Sequence, residues 1–169
     1  VGGDVAAFDE LYRRVASPVF SYLLRLTRDR PRAEDLLQIT FIKVHRARAS
    51  YILGAPLIPW LLAIARRAFL DERRMKKSRY EDLSQDGKLP EQPQPVETVN
   101  DDVSDALARA LDGLPENYRD AIHLTKITGL SLNEAADVLD TTPAAVKLRV
   151  HRGYNLMRER FEVLRAAKT

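Results

Sequence analysis

The stretch YEDLSQDGKLPEQPQPVETVND, residues 80–101, constrains this chain more than any other segment. Pro90, Pro93 and Pro95 prevent a helix from running through it, because each lacks a backbone N–H and clashes with the preceding turn. Gly87 and Ser84 loosen it further, and little in it can build a core. Residues 81–100 therefore read as a flexible linker that divides the 169 residues into 1–80 and 101–169. Each part lies near the lower limit for a self-sufficient core.

Both parts carry helical periodicity. Phe8, Leu11, Tyr12 and Val15 recur at helix spacing, and Phe20, Leu23 and Leu24 continue the stripe beyond Pro18. A second helix is predicted from near Pro31, with Leu36, Leu37, Phe41 and Val44 on one face. YILGAPLIP, residues 51–59, reads as a loop, and PWLLAIARRAFLDERRMKKSR follows as a helix that is apolar at its start and cationic at its end. In the second part, residues 101–115 form an amphipathic pattern that Gly113 and Pro115 stop. Pro115 opens the next helix, with Tyr118, Ala121, Ile122 and Thr125 inward and Gly129 closing it. Ser131 with Glu134 three residues later is a capping box, and Thr142–Pro143 begins a long last helix. No strand pattern or internal repeat occurs. The expected fold class is all-α, as two small helical domains.

Charge is distributed unevenly. Residues 1–80 carry 16 bases against 8 acids, whereas residues 81–100 carry 1 base against 5 acids and residues 101–130 carry 3 against 6. Such blocks speak of partners rather than of fold. With no cysteine there is neither a disulfide nor a thiolate metal site. No apolar run is long enough to span a bilayer and no leader pattern opens the chain, so a cytoplasmic protein without membrane insertion of its own is expected. The three histidines lack ligand spacing, there is no Gly-rich phosphate loop, and the carboxylates are scattered. Neither an enzyme nor a bound metal or cofactor is expected.

A short capped helix, the turn DTT and a longer basic helix make the helix-turn-helix layout. Val146, Val150, Gly153 and Met157 form the stripe suited to packing, opposite Ala144, Lys147, Leu148, His151, Arg152 and Asn155. The small residues at the helix start permit close approach to DNA. Thr142 adds a hydroxyl and helix-start N–H groups suited to a phosphate. Lys147 and Arg152 can contact guanine or phosphate. Leu148 is open to three readings: a thymine methyl contact, a protein contact, or partial burial.

Taken together, AEDLLQITFIKVHRA (33–47), PWLLAIARRAFLDERR (59–74), LDGLPENYRDAIHLTKITGLSLNEAADVL (111–139) and AAVKLRVHRGYNLMR (144–158) resemble the extracytoplasmic-function (ECF) sigma factors of bacterial RNA polymerase. The resemblance runs over almost the whole chain, in the family's order and spacing. It implies that 1–80 is sigma domain 2, which docks on polymerase and recognises and melts the −10 element. It likewise implies that 101–169 is sigma domain 4, which reads the −35 element. DLLQITFIKV resembles the helix that binds the coiled coil of the largest polymerase subunit, with Asp35, Gln38 and Lys43 as polar contacts. Ile39 departs from the pattern, where an acidic residue is usual. Arg66, Arg67, Arg73, Arg74, Lys76 and Lys77 would follow the DNA backbone, and the loop from Tyr51 to Pro59 would hold a flipped −10 base. That loop is greasier than the family pattern. Tyr51 is placed to stack a base, while Trp60 reads as a core anchor more than as a stacking partner. The implied partners are core RNA polymerase, promoter DNA and an anti-sigma factor.

Two rivals use the same residues. A sigma-like decoy that sequesters an anti-sigma factor would have no need of the cationic run at 66–77 or of Lys147 and Arg152. An ordinary helix-turn-helix regulator would leave the first 80 residues without a role.

Overall fold

The computed structural model describes the backbone of residues 5–84 and 110–166, and the side chains of 6–78, 110–160 and 162. These residues form helices and their connections, and the chain separates into two compact units, Val1–Val96 and Glu97–Thr169. Among the described residues there is no strand.

The first unit packs three mutually touching helices: α1 (Val5–Thr27), α2 (Arg30–Ala47) and α3 (Leu57–Ser84). α1 runs unbroken through Pro18, which lies on its exposed side. The centre of its buried face is Val15, Val19, Tyr22 and Leu23, all at most 5% exposed. The stripe sits further along the helix than Phe8, Leu11 and Tyr12 suggest. Phe8 and Leu11 are half-buried, and Tyr12 is exposed with its ring 4.6 Å from that of Phe41. Arg28, in the left-handed region (φ 53°), turns the chain out of α1. Asp29 then caps α2 by accepting from the Arg32 N–H at 3.1 Å, and Pro31 occupies the first turn, where its missing N–H is harmless. Leu36, Leu37, Phe41 and Val44 are buried as their spacing predicts.

A single 3₁₀ turn (Arg48–Ser50) leads into the loop, which ends three residues earlier than expected. Leu57 begins α3 and Pro59 lies inside its first turn, since a proline there forfeits no intrahelical bond. Leu61, Leu62, Ala65, Ala68 and Phe69 bury the apolar face of α3.

In the second unit, helical residues 110–112 precede α4 (Glu116–Ile122), α5 (Leu132–Leu139) and α6 (Pro143–Ala166). Most of the amphipathic pattern at 101–115 lies outside the described residues. α4 does not continue as a regular helix to Gly129. It widens into a π turn at His123–Ile127, and Gly129 (φ 78°) then reverses the chain. The added residue per turn shifts the buried face, so His123 and Leu124 go inside while Thr125 is only half-buried. α5 has the predicted capping box, with Ser131 Oγ accepting from the Glu134 N–H at 3.2 Å and Glu134 Oε2 accepting from the Ser131 N–H at 2.8 Å. These bonds hold the Glu134 carboxyl below its ordinary value of 4.5. Asp140, in the left-handed region at φ 51°, ends α5. α6 packs on both α4 and α5, and Gly153 makes its close approach possible. A Cβ at that position would lie 2.6 Å from Ile122 Cδ1.

Candidate nucleic-acid interface

The helix-turn-helix consists of α5, the turn at 140–142 and α6. Val146 is fully buried and Gly153 is buried against Ile122, which fixes the rotation of α6 on its unit. Val150 and Met157 are half-buried on the same side. At helix periodicity the opposite side must then face out, and Ala144, Lys147, Leu148, His151, Arg152 and Asn155 are all exposed. No acid occurs between Pro143 and Arg158, against four bases. His151 Nε2 and Asn155 Nδ2 lie 3.4 Å apart, one turn from each other on this face.

The helix start is narrower as an anion site than expected. Thr142 is exposed, but its Oγ1 accepts the Ala145 N–H at 3.2 Å and its carbonyl accepts that of Val146 at 3.0 Å. Pro143 has no N–H, so the backbone contribution to a phosphate contact reduces to Ala144. Leu148 is 47% exposed, so it is partly covered and still open to a contact from outside the unit.

On the first unit, α3 separates into anchoring and projecting charges. Glu72 accepts a two-pronged bond from Arg32 of α2 (2.9 Å from Nε, 2.7 Å from Nη2), and both side chains are largely buried. Burial pushes the Glu72 carboxyl up, but the hydrogen bonds and charges of Arg32 and Lys76 outweigh it, so it lies below its ordinary 4.5. Asp71 accepts from Lys43 Nζ at 2.7 Å, and that bond, against a smaller effect of burial, holds it below its ordinary 3.8. The two acids of this segment thus tie α3 to α2. Lys76 also reaches Glu72 at 2.7 Å, and Arg74 stands 4.0 Å from Asp71. Arg73 lies over the Phe69 ring at 5.5 Å, while Arg67, Arg74 and Lys77 are exposed and Arg66 is half-buried.

Before α3, the Tyr51 hydroxyl donates to the Ala55 carbonyl and its ring packs 5.1 Å from that of Trp60. Tyr51 is therefore committed to closing the loop, and the half-buried Trp60 supports it from the helix. The loop's exposed apolar groups are instead Ile52 (75%) and Leu53 (92%), displayed at a turn through Gly54 (φ 90°). Their position just before a glycine was the only signal available in the sequence.

On α2, Asp35, Gln38 and Ile39 face solvent as expected. Lys43 is drawn toward Asp71, and Ile42, 53% exposed and three residues from Ile39, joins the outward face in its place. Helix spacing from Ile39 would have found Ile42. Both cross-helix ion pairs escaped the sequence reading, because Arg32 and Glu72 are 40 residues apart. Among the described residues no group of three or more His, Asp or Glu side chains is placed to hold a metal, and no helix is long and apolar enough to cross a membrane.

Comparison with known proteins joins these faces. The family description Sigma-70 region 2 matches residues 11–80 and Sigma-70, region 4 matches residues 104–157. RNA polymerase sigma factor CarQ of Myxococcus xanthus is 36% identical over 90% of this chain and 88% of its own length. ECF RNA polymerase sigma factor SigM of Bacillus subtilis (strain 168) is 32% identical over 82% of this chain and 85% of its own. Among solved structures, the co-crystal structure of the sigma factor RpoE with the anti-sigma factor NepR from Bartonella quintana matches with a TM-score of 0.75 at 28% identity. That match covers 93% of this chain and 98% of the other. The chain belongs to the ECF group of sigma factors.

Proposed function

We propose that this protein is an alternative sigma factor, a dissociable subunit that gives core RNA polymerase access to one class of promoters. The observation that carries the reading is the presence in one chain of region 2 and region 4, each with an exposed cationic helix. The projecting charges of α3 (Arg67, Arg73, Arg74, Lys76 and Lys77, with Arg66 at the edge) grip the backbone around the −10 element. α6 enters the −35 major groove with Ala144, Lys147, His151 and Arg152, and Thr142 steadies its start. Asp35, Gln38, Ile39 and Ile42 form the polymerase face of α2. Lys43 acts mainly within the protein, through Asp71.

Melting requires no bond chemistry. It requires a cationic hold on the strand and capture of an unstacked base, at a cost of about a few kcal/mol per step. Domain boundaries at 1–80 and 101–169 follow the same division of labour. By analogy with RpoE, which is seen in complex with the anti-sigma factor NepR, this protein binds an anti-sigma factor. The family resemblance implies that such a partner holds it inactive by covering its polymerase-binding surfaces. The exposed cationic helices favour this function over a decoy, which has no use for them.

The test is reconstituted transcription with core polymerase. The protein is expected to produce run-off transcripts from promoters selected from a randomised library, while binding the same DNA weakly without polymerase. Failure to bind core polymerase, together with absence of any selected promoter, would refute the proposal.

A further inference from the structure

We infer that Leu148 is a specificity-determining residue that reads the C5-methyl group of a thymine in the upstream promoter element. The inference rests on the reading of α6 as the helix that enters the −35 groove.

Leu148 is 47% exposed, whereas Val146 and Gly153 on the other side of α6 already make the contacts that hold the helix to its unit. The attachment of α6 therefore rests mainly on the opposite face. Its neighbours on the same face are Lys147, His151 and Arg152, all exposed, so this face of α6 is cationic and carries no acid. Such a surface suits a polyanion rather than an apolar protein groove, and steers an occupant of phosphate-flanked chemistry onto the leucine.

Within a DNA major groove the only apolar group on a base edge is the thymine methyl. Ala144 lies one turn earlier on the same face, about 6 Å along the axis, and offers a second, smaller methyl. Arg152 lies the same distance onward, placed for a guanine edge or a phosphate. An apolar contact between flanking hydrogen-bonding contacts discriminates by excluding water from a methyl, and it rejects the polar edge of cytosine.

The experiment uses the full chain with core polymerase and an upstream element selected from a randomised promoter library. Each thymine of the element, on either strand, is replaced singly by deoxyuridine, which removes the methyl and nothing else. One replacement is expected to weaken wild-type binding about three- to fourfold, the worth of one buried methyl group. Leu148→Ala should bind the unmodified element with that same loss and be insensitive to that one replacement. It should respond as wild type does to the others. Equal losses in both proteins, no sensitive thymine in the wild type, or a selected element without thymine would overturn the assignment to Leu148. If no upstream sequence is enriched at all while transcripts still form, the DNA-reading role of α6 fails, and Leu148 with it.

Discussion

Replacing Arg73, Arg74, Lys76 and Lys77 together by glutamine takes four positive charges from the C-terminal half of α3 and removes the Lys76–Glu72 pair and the Arg73–Phe69 contact within that helix, but keeps its ion pairs to α2. Glu72 keeps its two-pronged bond from Arg32, and Asp71 keeps Lys43. Arg74 is 80% exposed at 4.0 Å from Asp71, so its loss costs the fold little. The DNA effect is larger, because each lysine or arginine that neutralises a phosphate contributes about 0.9 to the log–log salt slope on duplex and about 0.7 on single strands. Four contacts amount to a slope change of about 3, so doubling the salt should weaken wild type about eightfold more than the variant. The assay is the fraction of promoter in heparin-resistant open complexes, titrated with potassium chloride at fixed core polymerase. Arg13→Gln with Arg14→Gln serves as the control, since those bases lie on α1, outside the proposed DNA surface, and should leave the slope unchanged. An unaltered slope in the fourfold variant would remove this part of α3 from the DNA surface.

Arg32→Ala should lower the stability of the first unit by about 1–3 kcal/mol, against at most about 1 kcal/mol for Lys43→Ala, as read by thermal unfolding. The difference follows from exposure, 19% and 23% for Arg32 and Glu72 but 37% and 40% for Lys43 and Asp71. Because the Glu72 and Asp71 carboxyls are both lowered when folded, their stabilisation is complete above the ordinary values of 4.5 and 3.8. It is lost as pH falls through the lower folded values. Urea midpoints should therefore drop in that acid range, and Glu72→Gln should flatten the decline. Leu61→Ala, at a fully buried position, should cost about 2–5 kcal/mol in denaturant unfolding. Gly153→Val should destabilise the second unit by about 1–3 kcal/mol and weaken promoter binding, because the added carbons meet Ile122 and Tyr118.

Helix spacing was legible wherever the apolar stripe was continuous. Leu36, Leu37, Phe41 and Val44 are buried on one face of α2, and Val146 and Gly153 on one face of α6. The Ser131–Glu134 box and the Thr142 cap were readable for the same reason, since their bonds close within a single turn. The outward stripe of α6 followed from the inward one. Local chemistry and periodicity suffice for such features.

What the sequence alone determined was therefore the all-helical division into two parts and the faces the α2 and α6 stripes present. Tertiary structure decided the rest. It paired Arg32 with Glu72 across 40 residues and withdrew Lys43 to Asp71. It also turned Tyr51 inward onto Trp60, so that Ile52 and Leu53 stand exposed instead. These outcomes depend on which helix faces which, and in the second unit a π turn separately re-phases the end of α4. Helix periodicity sets the direction of a side chain from its own axis, but only packing determines what stands opposite.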